Sequence, residues 1–526
     1  MSLRHYLSLF VILSALAVLG GCSSNGSSNT ATPPPSGQFS NSSMNGSYAF
    51  SATGTGVSGA FFSLGGVLEA DGSGKITGGT LDLNDTSVSP PISGAAITGG
   101  TYSVTSDGRG QAVLTIAQEK IGLDFVLLNN SHAMVTRYDT NGTGSGSMDT
   151  QSTVTQVQLA GSYAFTLGGV DTNGNPFATV GSFTLDSAGN ITAGVEDFND
   201  AGIAYPGLTL TGSVILGTGT APGTATLIAT NTSNYVPFGN LTFDVYVADA
   251  THLKFVEKDA APVLGGDAFT QQNAALPTSS TVFAFTMAGG VNAPLAVGGF
   301  ATIDGAGNVS SGLEDMNNNG TVPSGAISFS GTYAASGSVG GRTLFSLTGF
   351  NGAGATQLAA YPTANAGVQL LEIDTSGLLD GVAMAQTSSA SLAASQGYGM
   401  NLTGINIGSA NGAFEEDDVA EFTTTSTGFS GLIDINDQGS LSFDQTFSGS
   451  YTPDSPATGR GVLTSNDMNG VYYAVNSSTA LFLETDSTQI GTGTLQVQTA
   501  GAQASGGVRM TVPRVTAVGH RLVPRK

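Results

Sequence analysis

The chain has 526 residues, of which 76 are Gly, one is Cys and none is Trp, and its formal net charge is −23. This balance excludes a nucleic-acid binder, because that role needs clustered positive charge, and a single Cys excludes a disulfide scaffold. The four His and one Cys leave few of the side chains that most often act as acid–base catalysts or nucleophiles, so we predict that the chain is not an enzyme.

Residues 1–21 are typical of a secretory signal peptide. Arg4 and His5 precede an apolar stretch, 6–18, which is too short for a transmembrane helix. The stretch ends in Leu19-Gly20-Gly21-Cys22, which resembles the lipobox of bacterial lipoproteins. The resemblance implies cleavage before Cys22, lipidation of Cys22, including palmitate, and a membrane anchor in the outer membrane, since Ser23 follows where inner-membrane retention uses Asp. A secreted protein without lipid is the alternative.

Residues 22–44 are rich in Ser, Asn, Thr and Pro and lack the apolar residues of a core, so we predict a flexible tether. No phosphate-binding loop follows it. Gly74-Lys75 comes closest to that pattern, but Glu69 stands where the first Gly is required. The sequence therefore predicts no nucleotide partner.

Four similar units make up the rest of the chain. Each opens with an aromatic strand, and the opening aromatic residues, at 115, 120 and 115 residues from one another, are Tyr48, Tyr163, Phe283 and Tyr398. This periodicity predicts four β repeats at 45–152, 160–272, 280–387 and 395–499, followed by a basic tail at 500–526. The tail carries five basic residues and no acidic one, so it is expected to bind the acidic body, lipid phosphates or a cell-wall polymer, or to be a disordered end.

Alternating apolar residues predict an all-β fold. Tyr48 and Phe50 point to one face of their strand, and turns of the form Asp-x-x-Gly, as at Asp186 to Gly189, join neighbouring strands. Each unit has room for about eight strands. We predict four tandem antiparallel domains, each an up-and-down β-barrel of about eight strands, because closure removes unprotected edge strands. A β-sandwich is the alternative, and a membrane-spanning barrel is disfavoured by the division into similar units.

An Asp-x-Asn pair ends the third strand of every unit. Both side chains leave the same face of the strand because they are two residues apart. The eight residues are Asp82, Asn84, Asp197, Asn199, Asp315, Asn317, Asp434 and Asn436. Their oxygens predict a calcium or sugar site; the alternative is a strand terminator whose side chains bond to the backbone of the following loop. Apart from calcium, no cofactor is predicted.

Three further sets of residues recur, each with a structural alternative. Late strands end in acidic pairs that suit a paired-carboxylate glycosidase or a solvated strand end. Two His residues occupy matching places in their units and are candidates for metal ligands or turn residues. Three Arg residues are expected to lie in turns and to pair with nearby acidic side chains. These residues are Glu257, Asp259, Glu372, Asp374, Glu484 and Asp486, then His132 and His252, then Arg109, Arg342 and Arg460.

The repeats, with openings such as Ser162-Tyr163-Ala164-Phe165 and the stretch from Gly189 to Asn199, resemble uncharacterised tandem-repeat outer-membrane lipoproteins of Gram-negative bacteria. The resemblance implies localisation and architecture but no chemistry. We predict a non-catalytic, lipid-anchored envelope or cell-surface protein for binding or structural interaction. Its expected partner is an envelope polymer or a surface glycan. The sequence does not decide which face of the outer membrane carries the protein. The alternatives are a carrier of a small apolar ligand in barrel cups and a carbohydrate-active enzyme.

Overall fold

The structure is a computed structural model that describes residues 39–500 and 509–510, apart from 118, 232–235, 272–274, 338, 365–366, 376, 388–390, 410–411 and 456. The predicted signal peptide, Cys22 and most of the tether and tail lie outside the described residues. All four repeats belong to one compact unit.

The first two repeats form barrels 1 and 2. The strands of barrel 1 are β1 (Asn45–Gly56), β2 (Phe61–Asp71), β3 (Lys75–Asp85), β4 (Ile92–Val104), β5 (Arg109–Ile116), β6 (Glu119–Asn129), β7 (His132–Asp139) and β8 (Gly142–Thr150). Those of barrel 2 are β9 (Gly161–Val170), β10 (Pro176–Leu185), β11 (Asn190–Asp200), β12 (Ile203–Ile215), β13 (Gly223–Thr230), β14 (Asn240–Asp249), β15 (His252–Glu257) and β16 (Val263–Thr270).

The last two repeats form barrels 3 and 4. The strands of barrel 3 are β17 (Thr281–Gly289), β18 (Leu295–Ile303), β19 (Asn308–Asn318), β20 (Ile327–Ala335), β21 (Thr343–Thr348), β22 (Thr356–Pro362), β23 (Gly367–Glu372) and β24 (Leu379–Ala385). Those of barrel 4 are β25 (Gly397–Asn406), β26 (Phe414–Thr424), β27 (Gly428–Asp437), β28 (Ser440–Pro453), β29 (Arg460–Ser465), β30 (Asn469–Ala474), β31 (Thr479–Glu484) and β32 (Gln489–Val497).

Every barrel is antiparallel and closed, with each strand paired to its neighbours in sequence and the first strand paired to the eighth. The prediction of eight-stranded up-and-down barrels is therefore confirmed, and the sandwich alternative is wrong. The helices among the described residues are three short 3₁₀ helices, at Asn41–Ser43, Gln156–Leu159 and Phe350–Gly352. None of them is long and apolar enough to cross a membrane.

The barrel interiors are filled by the apolar face of each strand. In barrel 1, Tyr48, Phe50, Phe62 and Phe125 are buried in one cluster of side chains. Three corresponding clusters fill the other barrels. Alternation therefore gives each barrel its own core and leaves the opposite strand faces to contact neighbouring barrels or solvent.

The four barrels contact one another in a closed cycle. The first strands of barrel 1 pack against late strands of barrel 2, and the same surfaces meet between barrels 2 and 3, 3 and 4, and 4 and 1. Each of these four junctions carries an apolar cluster. The junction of barrels 1 and 2 contains Ala49, Val67, Tyr246 and Ala248, and that of barrels 4 and 1 contains Val419 with Val126, Leu128 and Met134.

Candidate functional site

The Asn of each Asp-x-Asn pair crosses a junction between barrels. Its side-chain amide donates hydrogen bonds to backbone carbonyls around the turn between the seventh and eighth strands of the next barrel. The bonds run from Asn84 to Glu257 (2.8 Å) and Asp259 (2.7 Å), from Asn199 to Glu372 and Gly377 (both 2.9 Å), from Asn317 to Asp486 (2.8 Å) and Gln489 (2.7 Å), and from Asn436 to Arg137 (2.8 Å) and Gly142 (2.9 Å). The last pair joins barrel 4 to barrel 1 and completes the cycle.

The other end of the same amide holds the following turn. The Oδ1 atoms of Asn199, Asn317 and Asn436 accept hydrogen bonds from the backbone N–H groups of glycines three residues later, at 2.8, 3.0 and 2.7 Å. The interpretation as a strand terminator is confirmed for this half of the amide. One side chain therefore fixes both the local turn and the position of the neighbouring barrel.

The Asp of the pair binds an arginine from the next barrel at three junctions. Arg460 donates from Nε to Asp315 Oδ2 at 2.8 Å and from Nη2 to Oδ1 at 2.7 Å. Arg342 binds Asp197 through the same two nitrogens, and Arg109 Nη1 donates to Asp434 at 2.9 Å. The prediction that these arginines pair with nearby acids is confirmed, although the acids belong to another repeat.

Two of these aspartates also accept a hydrogen bond from a buried tyrosine. The Tyr473 hydroxyl donates to Asp315 Oδ2 at 2.7 Å, and the Tyr361 hydroxyl donates to Asp197. Arg342 and Asp197 are both buried. Because ionised groups taken out of water must be paired and hydrogen-bonded, these contacts permit one arrangement of the two barrels and penalise others.

The junction between barrels 1 and 2 is different. Pro222 stands at the place of the arginine, and Asp82 has no pairing partner among the basic side chains of the described chain. Burial therefore raises the pKa of Asp82 to about 6, although the backbone N–H of Gly94 donates to it.

A glutamine after the last strand of each barrel was missed in the sequence. Its side-chain amide also donates to backbone carbonyls of the next barrel. The four residues are Gln151, which reaches Val247; Gln271, which reaches Gly340 and Pro362; Gln386, which reaches Thr458 and Ala474; and Gln498, which reaches Asp107 and Leu127. Their spacing of 120, 115 and 112 residues follows the repeat and was the available signal.

The late glutamates are not solvated strand ends, so that interpretation is wrong. Glu257, Glu372 and Glu484 are buried on the inward face of their strands, next to core positions such as Phe255, Leu370 and Phe482. Burial holds the pKa values of Glu257 and Glu484 well above the usual range.

His132 and His252 are buried rather than exposed in turns, so that interpretation is also wrong. His132 Nδ1 lies 2.8 Å from Asp149, and His252 Nε2 lies 2.8 Å from Asp267. Asp149 is completely buried and is also 3.3 Å from the Lys254 ammonium. The imidazoles therefore belong to a charge network that joins barrels 1 and 2.

One residue of the basic tail contacts the acidic body. Arg509 Nε lies 3.1 Å from Asp149, and its Nη1 donates to Asp249. This contact agrees with one of the interactions expected for the tail.

Metal ligation at the Asp-x-Asn pairs stays a prediction. Three of the four aspartates already bind arginine, and each Asn presents its amide hydrogens to carbonyls. Over the residues that the structure describes, no group of three or more His, Cys, Asp or Glu side chains is arranged to hold a metal ion.

Comparison with known proteins does not identify a family. No family model matches the chain, and no curated protein matches it. Among solved structures, it is similar to transferrin binding protein B from Neisseria meningitidis (10% identity, 70% of this chain and 84% of that chain, TM-score 0.21). It is also similar to kievitone hydratase from Nectria haematococca (12%, 66% and 95%, TM-score 0.16) and to a mutant transferrin binding protein B from Haemophilus parasuis (9%, 72% and 86%, TM-score 0.16). At these TM-scores the similarity supports no statement about function.

We expect Arg342→Ala to lower the free energy of unfolding by about 3–5 kcal/mol, because it leaves the buried Asp197 carboxylate unpaired. Denaturant unfolding followed by circular dichroism measures this loss. The matched control is Lys120→Ala, which removes an exposed cation and should change stability by less than about 0.5 kcal/mol. Equal effects of the two substitutions would contradict a stabilising role for the junction.

Stability should fall as the pH rises above about 5. Burial raises the pKa of Asp82 to about 6, of Glu196 to about 7 and of Glu314, Glu416 and Glu421 to about 8. A carboxyl group whose pKa is higher in the folded than in the unfolded protein stabilises the fold while it is protonated. This contribution to stability is complete below about pH 4 and is lost as the pH rises through the folded pKa.

The measurement is the melting temperature, which we expect to be higher at pH 5 than at pH 8. High salt screens repulsion between exposed charges and should leave most of this difference. Glu421→Gln should reduce the difference, because the amide does not ionise. A melting temperature that is unchanged or higher at pH 8 would show that these carboxyl groups are not held neutral.

Proposed function

We propose that the protein is a non-catalytic, lipid-anchored envelope protein whose four barrels form one scaffold for binding or structural interaction. The observation that carries the proposal is the use of the repeated polar residues. Asn84, Asn199, Asn317 and Asn436 all hold neighbouring barrels together. A residue pattern repeated four times therefore serves assembly, and the chain needs no repeated active site to account for it.

The outward strands offer an uncharged surface for such a role. On barrel 2, Thr209 and Thr211 of β12 and Thr224 and Thr230 of β13 are exposed, and Thr209 lies opposite Thr230. These hydroxyl groups both donate and accept hydrogen bonds. An envelope polymer or a surface glycan, which presents many hydroxyl or amide groups, is the class of partner that we propose for this surface.

The carrier alternative has less support. Barrel 3 contains an apolar cavity of about 50 Å³, lined by residues such as Phe283, Met287 and Phe329. Drug-sized ligands occupy pockets of about 300–1,000 Å³. The barrel interior is therefore better described as a packed core with a small packing defect.

Lipidation of Cys22 supplies the membrane attachment in this proposal. The signal peptide, the lipid and the tether would place the barrels at the outer membrane. The experiment below decides whether they face the outside or the periplasm. Calcium at the Asp-x-Asn pairs stays a secondary proposal, which melting curves with and without a chelator decide.

The test combines fractionation with protease shaving of intact cells. We expect the native chain in the outer-membrane fraction and a Cys22→Ser variant in the soluble fraction, because the variant has no acceptor for lipid. Peptides from all four barrels released from intact cells would place the scaffold outside, and release only after the outer membrane is opened would place it in the periplasm. Identical fractionation of native chain and variant would overturn the anchored scaffold.

A further inference from the structure

The junction of barrels 1 and 2 lacks a part that the other three junctions possess. Arg460 pairs in the strand ladder with Tyr473. In barrel 2, Gly223 pairs with Val245, so the preceding residue, Pro222, lies opposite Tyr246, which corresponds to Tyr473. Pro222 therefore occupies the place from which the other barrels send a guanidinium group to the aspartate of the previous barrel.

The aspartate at this junction keeps the geometry of its counterparts without their arginine. Asp82 is only 2% exposed, and its Oδ1 accepts from the Gly94 N–H. The Tyr246 hydroxyl lies beside this carboxylate, as the Tyr473 hydroxyl lies beside Asp315, but no basic side chain of the described residues forms an ion pair with Asp82. The matching Oδ2 of Asp315 accepts from both Arg460 Nε and the Tyr473 hydroxyl. One buried carboxylate is thus left without the arginine donor that the fold supplies at the other three junctions.

The charges at the junction do not balance. Asp244 lies beside Asp82, and the Lys258 ammonium binds Asp244 at 2.8 Å. Lys258 is the basic group that faces the two carboxylates, and its side chain is 38% exposed. Two buried carboxylates therefore share one partly solvated cation, and a second cation would remove an electrostatic penalty.

A cavity lies next to this junction, and Tyr246 is one of its lining residues. Its volume is about 610 Å³, and residues 216–221, Gly223 and Tyr246 line it together with Glu69 and Gln151. The Thr220 hydroxyl lies 3.1 Å from that of Thr80, two residues before Asp82, which locates the loop on β3. Gln151 reaches one carbonyl, at 3.3 Å, whereas its three counterparts each reach two. Gly94 and Gly207 donate to Asp82 and Asp197 in the same way. A Cβ added at Gly207 would lie 3.6 Å from the Arg342 guanidinium carbon, whereas one added at Gly94 would have nothing within 4 Å. Space is therefore open beside Asp82 where Arg342 lies beside Asp197.

We propose that this junction binds a guanidinium group on a short aliphatic stem, in the place that an arginine of the chain takes at the other three junctions. Guanidinium presents parallel N–H donors that match a carboxylate, which an ammonium does not. Leu216 and Val245, which line the neighbouring cavity, provide apolar contact for the stem. The inference does not depend on the membrane anchor.

The experiment is isothermal titration of the purified full chain with ethylguanidinium. We expect one saturable site with a Kd in about the millimolar range. Urea, which has a similar shape and no charge, should not bind. Affinity should fall as the pH drops through about 6, where Asp82 takes up a proton in a setting that also contains Asp244, Lys258 and Tyr246.

Three variants separate this site from general attraction to an acidic protein. Asp82→Asn should abolish binding, and Pro222→Arg should abolish it while raising the melting temperature, because the chain then supplies its own guanidinium. Arg342→Ala opens the equivalent place at the junction of barrels 2 and 3, so its stoichiometry should rise from one to two.

Arginine amide and an arginine-containing peptide, titrated next, distinguish a free small molecule from a peptide side chain as the source of the group. The proposal is overturned if the native chain shows no saturable binding. Binding that persists unchanged in both Asp82→Asn and Pro222→Arg would also overturn it, since neither variant should retain the site.

Discussion

The architecture depends on buried polar contacts that run from the end of the third strand of one barrel to the next barrel. An Asn two residues after an Asp shares its strand face, so one side chain reaches carbonyls while the other receives an arginine. Leaving such groups buried without partners costs more than the contacts themselves contribute. The junctions therefore select one register between barrels, and apolar packing around them supplies the remaining stabilisation.

The molecule contains many buried carboxyl groups. Barrel 4 shows the extreme case, because Glu416 stands where barrel 1 has Phe62. Each of the two residues pairs with the glycine that lies six residues after the opening tyrosine of its barrel. Asp418 likewise replaces Leu64. Both carboxyl groups are buried, and burial raises the pKa of each. A chain built this way gains stability from protons, which connects its acidic composition to its expected preference for low pH.

Local pattern and repetition were enough to predict much of the fold. Alternating residues such as Tyr48 and Phe50 give strands, and four similar units give four barrels. The shared face of Asp197 and Asn199 was also predictable from their spacing. Their partners were not, because Arg342 and Glu372 lie 145 and 173 residues away and nothing in a single sequence reports such contacts. The buried glutamates were misjudged because acidic strand ends are usually solvated.

The most direct test of the closed cycle is hydrogen exchange, followed by mass spectrometry, in an Asn436→Ala variant. Asn436 of barrel 4 donates to the carbonyls of Arg137 and Gly142 in barrel 1, 299 and 294 residues away. The account predicts faster exchange in peptides covering β7 and β8 as well as in those covering β27 and β28. The control, Asn476→Ala, removes a side chain that caps a turn within barrel 4 and should affect that barrel alone. Faster exchange confined to barrel 4 in the Asn436 variant would contradict the closure of the cycle.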